Sequence, residues 1–334
     1  MKGRCIMSKI NRSKNVLVAV LVLLVVGSGC NNRGNQSEEN GNHLRGEISI
    51  SGAFALYPIT VRWAEEFRKE NPDVRIDISA GGAGKGMTDA LSGMVDLGMF
   101  SRGISPSEKA QGVWWIAVTR DAVLPTVNAK NPEISQLKLN GISAKTFRKI
   151  FVDASIKSWD QISGLNGLKK NINIFTRSDA CGAAQMWAEF LGGNQEDLNG
   201  IGVFGDPGMA DAVKIDLMGM GYNNLVYLYD ITTRQKYSGL EVIPIDINEN
   251  GKIDQDENFY GSLDMLMEAI ANNKYPSPPA RDLYFVAARK PQNDVVKAFL
   301  NWVLIKGQQF VPEAGYITLP EMIIAEELNK LNDE

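Results

Sequence analysis

The chain has 334 residues, 44% of them hydrophobic and 22% charged, an ordinary globular composition with length enough for two domains. Its 39 carboxylates outnumber 35 lysines and arginines, which argues against a nucleic-acid-binding surface. Of three cysteines only Cys181 lies in the body, which excludes an internal disulfide framework.

Lys9, Arg12 and Lys14 precede an unbroken apolar run from Val16 to Val26, short for a bilayer span and suited to a secretory signal core. Gly27-Ser28-Gly29-Cys30 follows. These small residues resemble a bacterial lipoprotein processing site, with Gly27 where that pattern usually has Leu. The resemblance implies a signal peptide over 1–29, Cys30 as the lipidated first residue, and an exported, membrane-anchored protein. Met7 is an alternative start. The Asn-, Gly- and Ser-rich stretch to Arg45 reads as a flexible tether over 30–45.

The body begins with an alternating strand, Glu47–Ser51, then a helix to about Glu70 with Pro58 in its first turn and Ile59, Trp63, Ala64 and Phe67 on its apolar side. Val74–Ser79 predicts a second strand, Gly81–Gly86 a turn into a helix, and Val95–Phe100 a third strand closed by Ser101-Arg102. Alternation of this kind predicts an α/β fold with mostly parallel sheets and ligands beyond the carboxyl ends of strands, here near Ala53, Gly82 and Ser101. Around Gly81–Gly86 a Walker loop would need glycine at 79 and Ser or Thr at 86, where the chain has Ser79 and Gly86, which argues against a nucleotide hydrolase. Val113–Asn128 is strand-like, Ser143–Phe151 helical, and Ile172–Phe175 a strand. Asp211–Met218 predicts a helix, Leu225–Tyr229 and Asp282–Ala288 strands, and Val295–Ile305 a helix.

Phe175-Thr-Arg-Ser-Asp-Ala-Cys-Gly-Ala-Ala184 ends a strand in an arginine and opens a helix over Ala183–Leu191. The first N–H groups of such a helix are unpaired and its dipole favours an anion, so Arg177 beside it predicts half of an oxyanion site. Asp179 either pairs with Arg177 at the surface or orients it toward the anion. Cys181 at the helix start would have a lowered pKa. The only histidine is His43, so no Cys–His pair is available for catalysis, and no enzymatic activity is expected.

Asp246–Glu257 places oxygen side chains at loop positions 1, 3, 5, 9 and 12 (Asp246, Asn248, Asn250, Asp254, Glu257), glycine at 6 and the Lys252 carbonyl at 7, the pattern of a seven-coordinate calcium loop. Glu241–Ile245 before it looks extended. A structural calcium ion is therefore expected here, with a solvated acidic turn as the plain alternative.

Ser51-Gly-Ala-Phe54 with its Trp63 helix, Gly81-Gly-Ala-Gly84, Val95-Asp-Leu-Gly98 with Ser101-Arg102, and Arg177-Ser-Asp179 with Cys181-Gly182 together resemble the phosphate-binding proteins of bacterial ABC-type uptake systems. So do Phe299-Leu-Asn-Trp302, Gly307-Gln308 and Gly315-Tyr316. The resemblance covers about residues 46–320. It implies a two-lobe periplasmic-binding-protein fold, with lobe I from 46–124 and 281–334 and lobe II from 125–280. The interlobe cleft would close on inorganic phosphate and deliver it to a permease in the inner membrane. Ala53, Phe54, Gly82 and Ser101 would form one wall, Arg177, Cys181, Gly182 and Ala183 the other, with Arg102 and Asp179 as accessories. A monomer with no required cofactor is implied. Ser101 stands where well-known members place an aspartate that accepts the ligand's proton, which leaves sulfate or molybdate as alternatives. A calcium-stabilised surface-interaction module and a thiol enzyme using Cys181 are readings of other classes.

Overall fold

A computed structural model describes residues 44–333; the predicted signal segment, Cys30, His43 and nearly all of the predicted tether lie outside the described residues. β1 (Gly46–Gly52) leads through a Pro58-started turn into α1 (Tyr57–Glu70), whose Ile59, Trp63, Ala64 and Phe67 are buried. The Trp63 indole N–H donates to the Gly307 carbonyl at 2.8 Å, pinning the helix to the far end of the chain. β2 (Val74–Ala80), α2 (Ala83–Leu91) and β3 (Leu97–Phe100) follow, then a short α3 (Pro106–Ala110). β4 (Trp114–Asn128) is 15 residues long, two largely apolar runs joined by Thr119-Arg120-Asp121, and its burial through both runs suits a strand covered on both faces.

The second half holds α4 (Ile134–Asn140), α5 (Ala144–Phe151), β5 (Asn173–Arg177), α6 (Gly182–Phe190), β6 (Ile201–Val203), α7 (Gly205–Ile215), β7 (Gly219–Asn224), β8 (Leu240–Val242) and α8 (Leu263–Ala271). β9 (Ala280–Ala287), α9 (Asp294–Ile305) and α10 (Glu321–Asn332) complete it. α7 begins six residues before the predicted helix, because Gly205 at φ +73° turns the chain and Pro207 fits a first helical turn. Leu225–Tyr229 is not a strand: the strand lies just before it, and Leu225–Tyr227 coil into a 3₁₀ turn as the Leu225 N–H leaves the ladder for the Asp121 carboxylate.

The strands run in the order β2-β1-β3-β9-β4-β7-β5-β6, with β8 beside the end of β4. β1, β2 and β3 are parallel, as are β5, β6 and β7, while β9 and β4 run antiparallel to their neighbours. One apolar core packs Ile48, Trp63, Phe67, Met99, Phe285, Phe299 and Trp302. The other packs Leu124, Phe147, Phe151, Trp159, Trp187 and Tyr222. β4 takes part in both: Ile116 and Val118 belong to the first, Ala122 to Val127 to the second. Each core is thus a lobe, and the paired strands β4 and β9 join them. Among the described residues no helix is long and apolar enough to cross a membrane.

Candidate functional site

β5 carries Arg177 to the edge of the cleft, where its side chain is 1% exposed. Its Nε and Nη2 donate to both oxygens of Asp179 at 2.8 and 2.6 Å, and its Nη1 donates to Asp206 Oδ2 at 2.7 Å. The Phe54 ring, from the opposite lobe, lies over the guanidinium at 5.6 Å. Burial opposes the arginine's charge, but Asp206 and Asp179 outweigh it and raise its pKa. Three of its five N–H groups are used, which leaves two for a ligand.

The start of α6 adjoins this arginine. Cys181 is its N-cap, with Sγ accepting the Ala184 N–H at 3.3 Å and its own N–H donating to Gln195 Oε1 at 3.1 Å. The N–H groups of Gly182 and Ala183 have no partner among the described residues. Cys181 therefore departs from expectation twice. Its amide is occupied by Gln195, and burial pushes its thiol up to about 12 against the pull of Arg177, the opposite of the lowering expected at a helix start.

On the facing wall, the Ala53 N–H donates to the Met99 carbonyl at 2.9 Å and the Gly82 N–H to the Gly52 carbonyl at 3.1 Å. Neither is spare, because each carries the pairing with a neighbouring strand past its own strand's end, Ala53 toward β3 and Gly82 toward β1. Of the predicted amides in this lobe, Phe54 alone is without a partner among the described residues. Ser101 is 2% exposed at the end of β3. The predicted accessory Arg102 is engaged elsewhere, with Nη2 2.7 Å from Glu108 and its guanidinium over the Phe100 ring. Asp179 orients Arg177 and also accepts the Gly205 N–H at 3.1 Å.

The walls are in contact. Gly84 donates to the Ala180 carbonyl at 2.9 Å, and Tyr227 Oη to the Phe54 carbonyl at 3.0 Å. A Cβ at Gly182 would overlap both oxygens of Ser101, and one at Gly82 would lie 2.7 Å from Asp179 Oδ2, so glycine is what permits this approach.

Behind these groups runs a buried polar chain that sequence reading did not find. Asn224 donates to Asp206 Oδ1 at 2.6 Å and accepts from Arg281 Nη2. Arg281 Nε also donates to the Ser101 carbonyl at 3.3 Å. Arg281 Nη1 and Asp121 Oδ2 lie 3.6 Å apart, an ion pair without a hydrogen bond, and each of those atoms lacks a hydrogen-bond partner among the described residues. Burial pushes Asp121 up to about 6, with Arg281 pulling the other way. Only Gly205-Asp206-Pro207, an acid in a helix's first turn, could have signalled one of these residues.

In the acidic loop, Asp246 accepts the N–H groups of Asn250 and Gly251, and Glu257 those of Ile247, Asn248 and Asp254. Both acids are buried, 5% and 4% exposed, and neither has a cationic partner among the described residues. Asp254 is taken by Lys252 Nζ at 2.7 Å and by the amides of Asn248 and Asn250. Among the described residues no three acidic, histidine or cysteine side chains are already gathered at metal-binding distance. The sequence-predicted ligands thus share one loop, but a cation would have to draw Asp254 from Lys252 and turn both asparagines.

A family model described as a PBP superfamily domain matches residues 37–306. The phosphate-binding protein PstS of Bacillus subtilis is 29% identical over 199 residues, 56% of this chain and 63% of that protein, so the match spans just under two-thirds of that relative. PstS of Methanocaldococcus jannaschii is 25% identical over 96% of both chains. Among solved structures, a Clostridium perfringens protein with bound phosphate aligns with a TM-score of 0.66 at 21% identity, covering 82% of this chain and 100% of that one. A Vibrio cholerae ABC-type phosphate transport receptor aligns with a TM-score of 0.59 at 17% identity, covering 82% and 100%. At these identities the structures speak for the fold.

Proposed function

The chain belongs to the PBP superfamily, and from that membership we propose that it is the phosphate-capturing component of an ABC import system, closing its two lobes on inorganic phosphate and releasing it to a membrane permease. The observation that carries this reading is the meeting of Arg177 with the spare N–H groups of Gly182 and Ala183 on one wall, and of Phe54 N–H and Ser101 on the other. Backbone donors at a helix start, one oriented arginine and a hydroxyl suit a tetrahedral oxyanion. Two relatives aligned above are phosphate-binding proteins by name, which supports phosphate over molybdate. The ligand bridges both walls, so binding and closure are one equilibrium. Calorimetric titration of the protein with phosphate is the test: saturable binding is expected, and no heat at any concentration would refute the reading.

Anchoring through a lipid on Cys30 outside the cytoplasm would hold this receptor near its permease. Its support is the Val16–Cys30 leader. Palmitate labelling in a bacterial host is expected in the native chain and lost in Cys30→Ser; equal labelling of both would remove the proposal.

The loop over 246–257 is proposed to bind calcium as a structural ion, through Asp246, Asn248, Asn250, the Lys252 carbonyl, Asp254 and Glu257. Two buried carboxylates without a counter-charge support it, as does Gly251 at φ +84° where the loop must turn sharply. Calcium at a hundredfold excess over its dissociation constant would add about 2.7 kcal/mol to stability. Melting temperature should rise with calcium and fall with chelator in the native chain, and do neither in Glu257→Gln; an unresponsive native chain would mean a solvated turn.

A further inference from the structure

Phe54 belongs to lobe I, yet lobe II grips both its ring and its carbonyl. The ring lies over the Arg177 guanidinium at 5.6 Å and meets the Phe204 ring edge-on at 5.7 Å. A Cβ on Gly205 would come within 3.0 Å of it. The Phe54 carbonyl accepts the Tyr227 hydroxyl at 3.0 Å. Its N–H has no partner among the described residues, and under the phosphate reading it is the amide that this wall offers to the anion.

The 3₁₀ turn Leu225–Tyr227 is what lets Tyr227 reach across. It follows β7 directly, and its Leu225 N–H is fixed on Asp121 of the crossing strand at 3.4 Å. A strand here would put Leu225, Tyr227 and Tyr229 on one face. The tighter winding places residues three apart together instead. Leu225, Leu228 and Tyr229 therefore pack into the lobe II core, while Val226 and Tyr227 lie against the lobe I core. Inside lobe I the Phe54 loop has its own supports: Tyr316 Oη donates to the Ala55 carbonyl at 2.8 Å, and the Tyr57 N–H donates to the Phe54 carbonyl at 3.2 Å.

We infer that lobe II latches Phe54, with Tyr227 as the positioning residue: its hydroxyl holds the Phe54 peptide across the cleft in the closed form, keeps the Phe54 N–H on the anion and slows release. The inference rests on the phosphate reading above and deepens it. The Tyr316 and Tyr57 bonds lie within one lobe and survive opening, whereas the Tyr227 bond joins two lobes and is lost when they part. A contact made only in the closed form shifts the equilibrium toward that form. Tyr227→Phe orphans no group, because the Tyr57 N–H still satisfies the carbonyl, so it removes one net hydrogen bond and nothing more.

The test follows radiolabelled phosphate leaving the native protein and Tyr227→Phe after dilution into unlabelled phosphate, with equilibrium dialysis giving the affinities. Dissociation should be about fivefold faster in the variant and affinity weaker by the same factor, so that the association rate is unchanged. The urea midpoint of the phosphate-free variant should match the native one, since the bond belongs to the closed form. A merely structural tyrosine would lower that midpoint and leave dissociation untouched, which overturns the inference. Affinity lost through slower association also overturns it, because the hydroxyl would then set the Phe54 amide before the lobes close. Should Tyr227→Phe not fold, Phe204→Ala is measured instead. Phe204 is 61% exposed, so truncating it spares the core, and losing its edge contact with Phe54 should speed dissociation about two- to tenfold. An unchanged rate there overturns the latch. Native protein that binds no phosphate overturns the underlying reading instead.

Discussion

Arg177→Ala is expected to weaken phosphate binding a thousandfold or more, about 4 kcal/mol, and also to lower the free energy of unfolding by about 3–5 kcal/mol. The first loss follows from removing the one guanidinium at the start of α6. The second follows from what is left behind: Asp179 and Asp206, with side chains 7% and 2% exposed, would face each other with no cation between them. From sequence, Arg177 has only Asp179 as a partner, whether at the surface or orienting it toward the anion, and its removal is expected to leave the fold intact. Asp206 changes that. Urea unfolding and calorimetry on the same variant check both halves, and an affinity within a few-fold of native would remove Arg177 from the site.

Arg281→Met is expected to destabilise the protein by about 3–5 kcal/mol at pH 7, because it strands Asp121, which is wholly buried. Its Oδ1 keeps the N–H groups of Ala122 and Leu225, but Oδ2 would lose its one ion-pair partner among the described residues. The double change Arg281→Met with Asp121→Leu should recover most of the loss, since an apolar pair of similar bulk leaves no unpaired charge. The pH dependence has a definite sign. The folded-state pKa of Asp121, about 6, lies above the unfolded value of 3.8, so the folded protein holds its proton more tightly. That contribution favours folding at low pH and is lost as pH rises through about 6. Without Arg281 the carboxyl titrates higher still, so the variant's deficit should shrink as the solution is acidified. A deficit that is flat with pH, or a double variant no more stable than the single one, would show that the pair does not carry this energy.

The layout of the fold was legible because it rests on local signals. Strand alternation, glycine turns and the apolar face of the Trp63 helix predict the βα units, and the apolar run around Pro125 marks the long crossing strand. Arg177 and the start of α6 were legible for the same reason, lying five residues apart. Which amides stay open was not, since the Ala53 and Cys181 N–H groups are taken by Met99 and Gln195, partners that only tertiary pairing brings near. The buried charge chain was hidden too: Asp206 is 29 residues from Arg177, and Arg281 is 57 from Asn224. In sequence each looks like an ordinary surface charge. The 3₁₀ turn at Leu225 was misread as a strand because its apolar residues serve a bend fixed by Asp121, whose hydrogen bond no periodicity records.

β9 is the last strand to be synthesised, yet it lies in the middle of the sheet, between β3 and β4. Until the ribosome has passed residue 287, β3 has no antiparallel neighbour, and α9, whose Phe299 and Leu300 complete the first core, does not exist. The second lobe is contiguous apart from its closing contacts and can condense while the first waits. A nascent chain therefore stays partly unstructured until about nine-tenths of it has been made. Such a chain suits threading through a translocation pore, and it also leaves a strand edge open to chaperones and to other nascent copies for most of its synthesis.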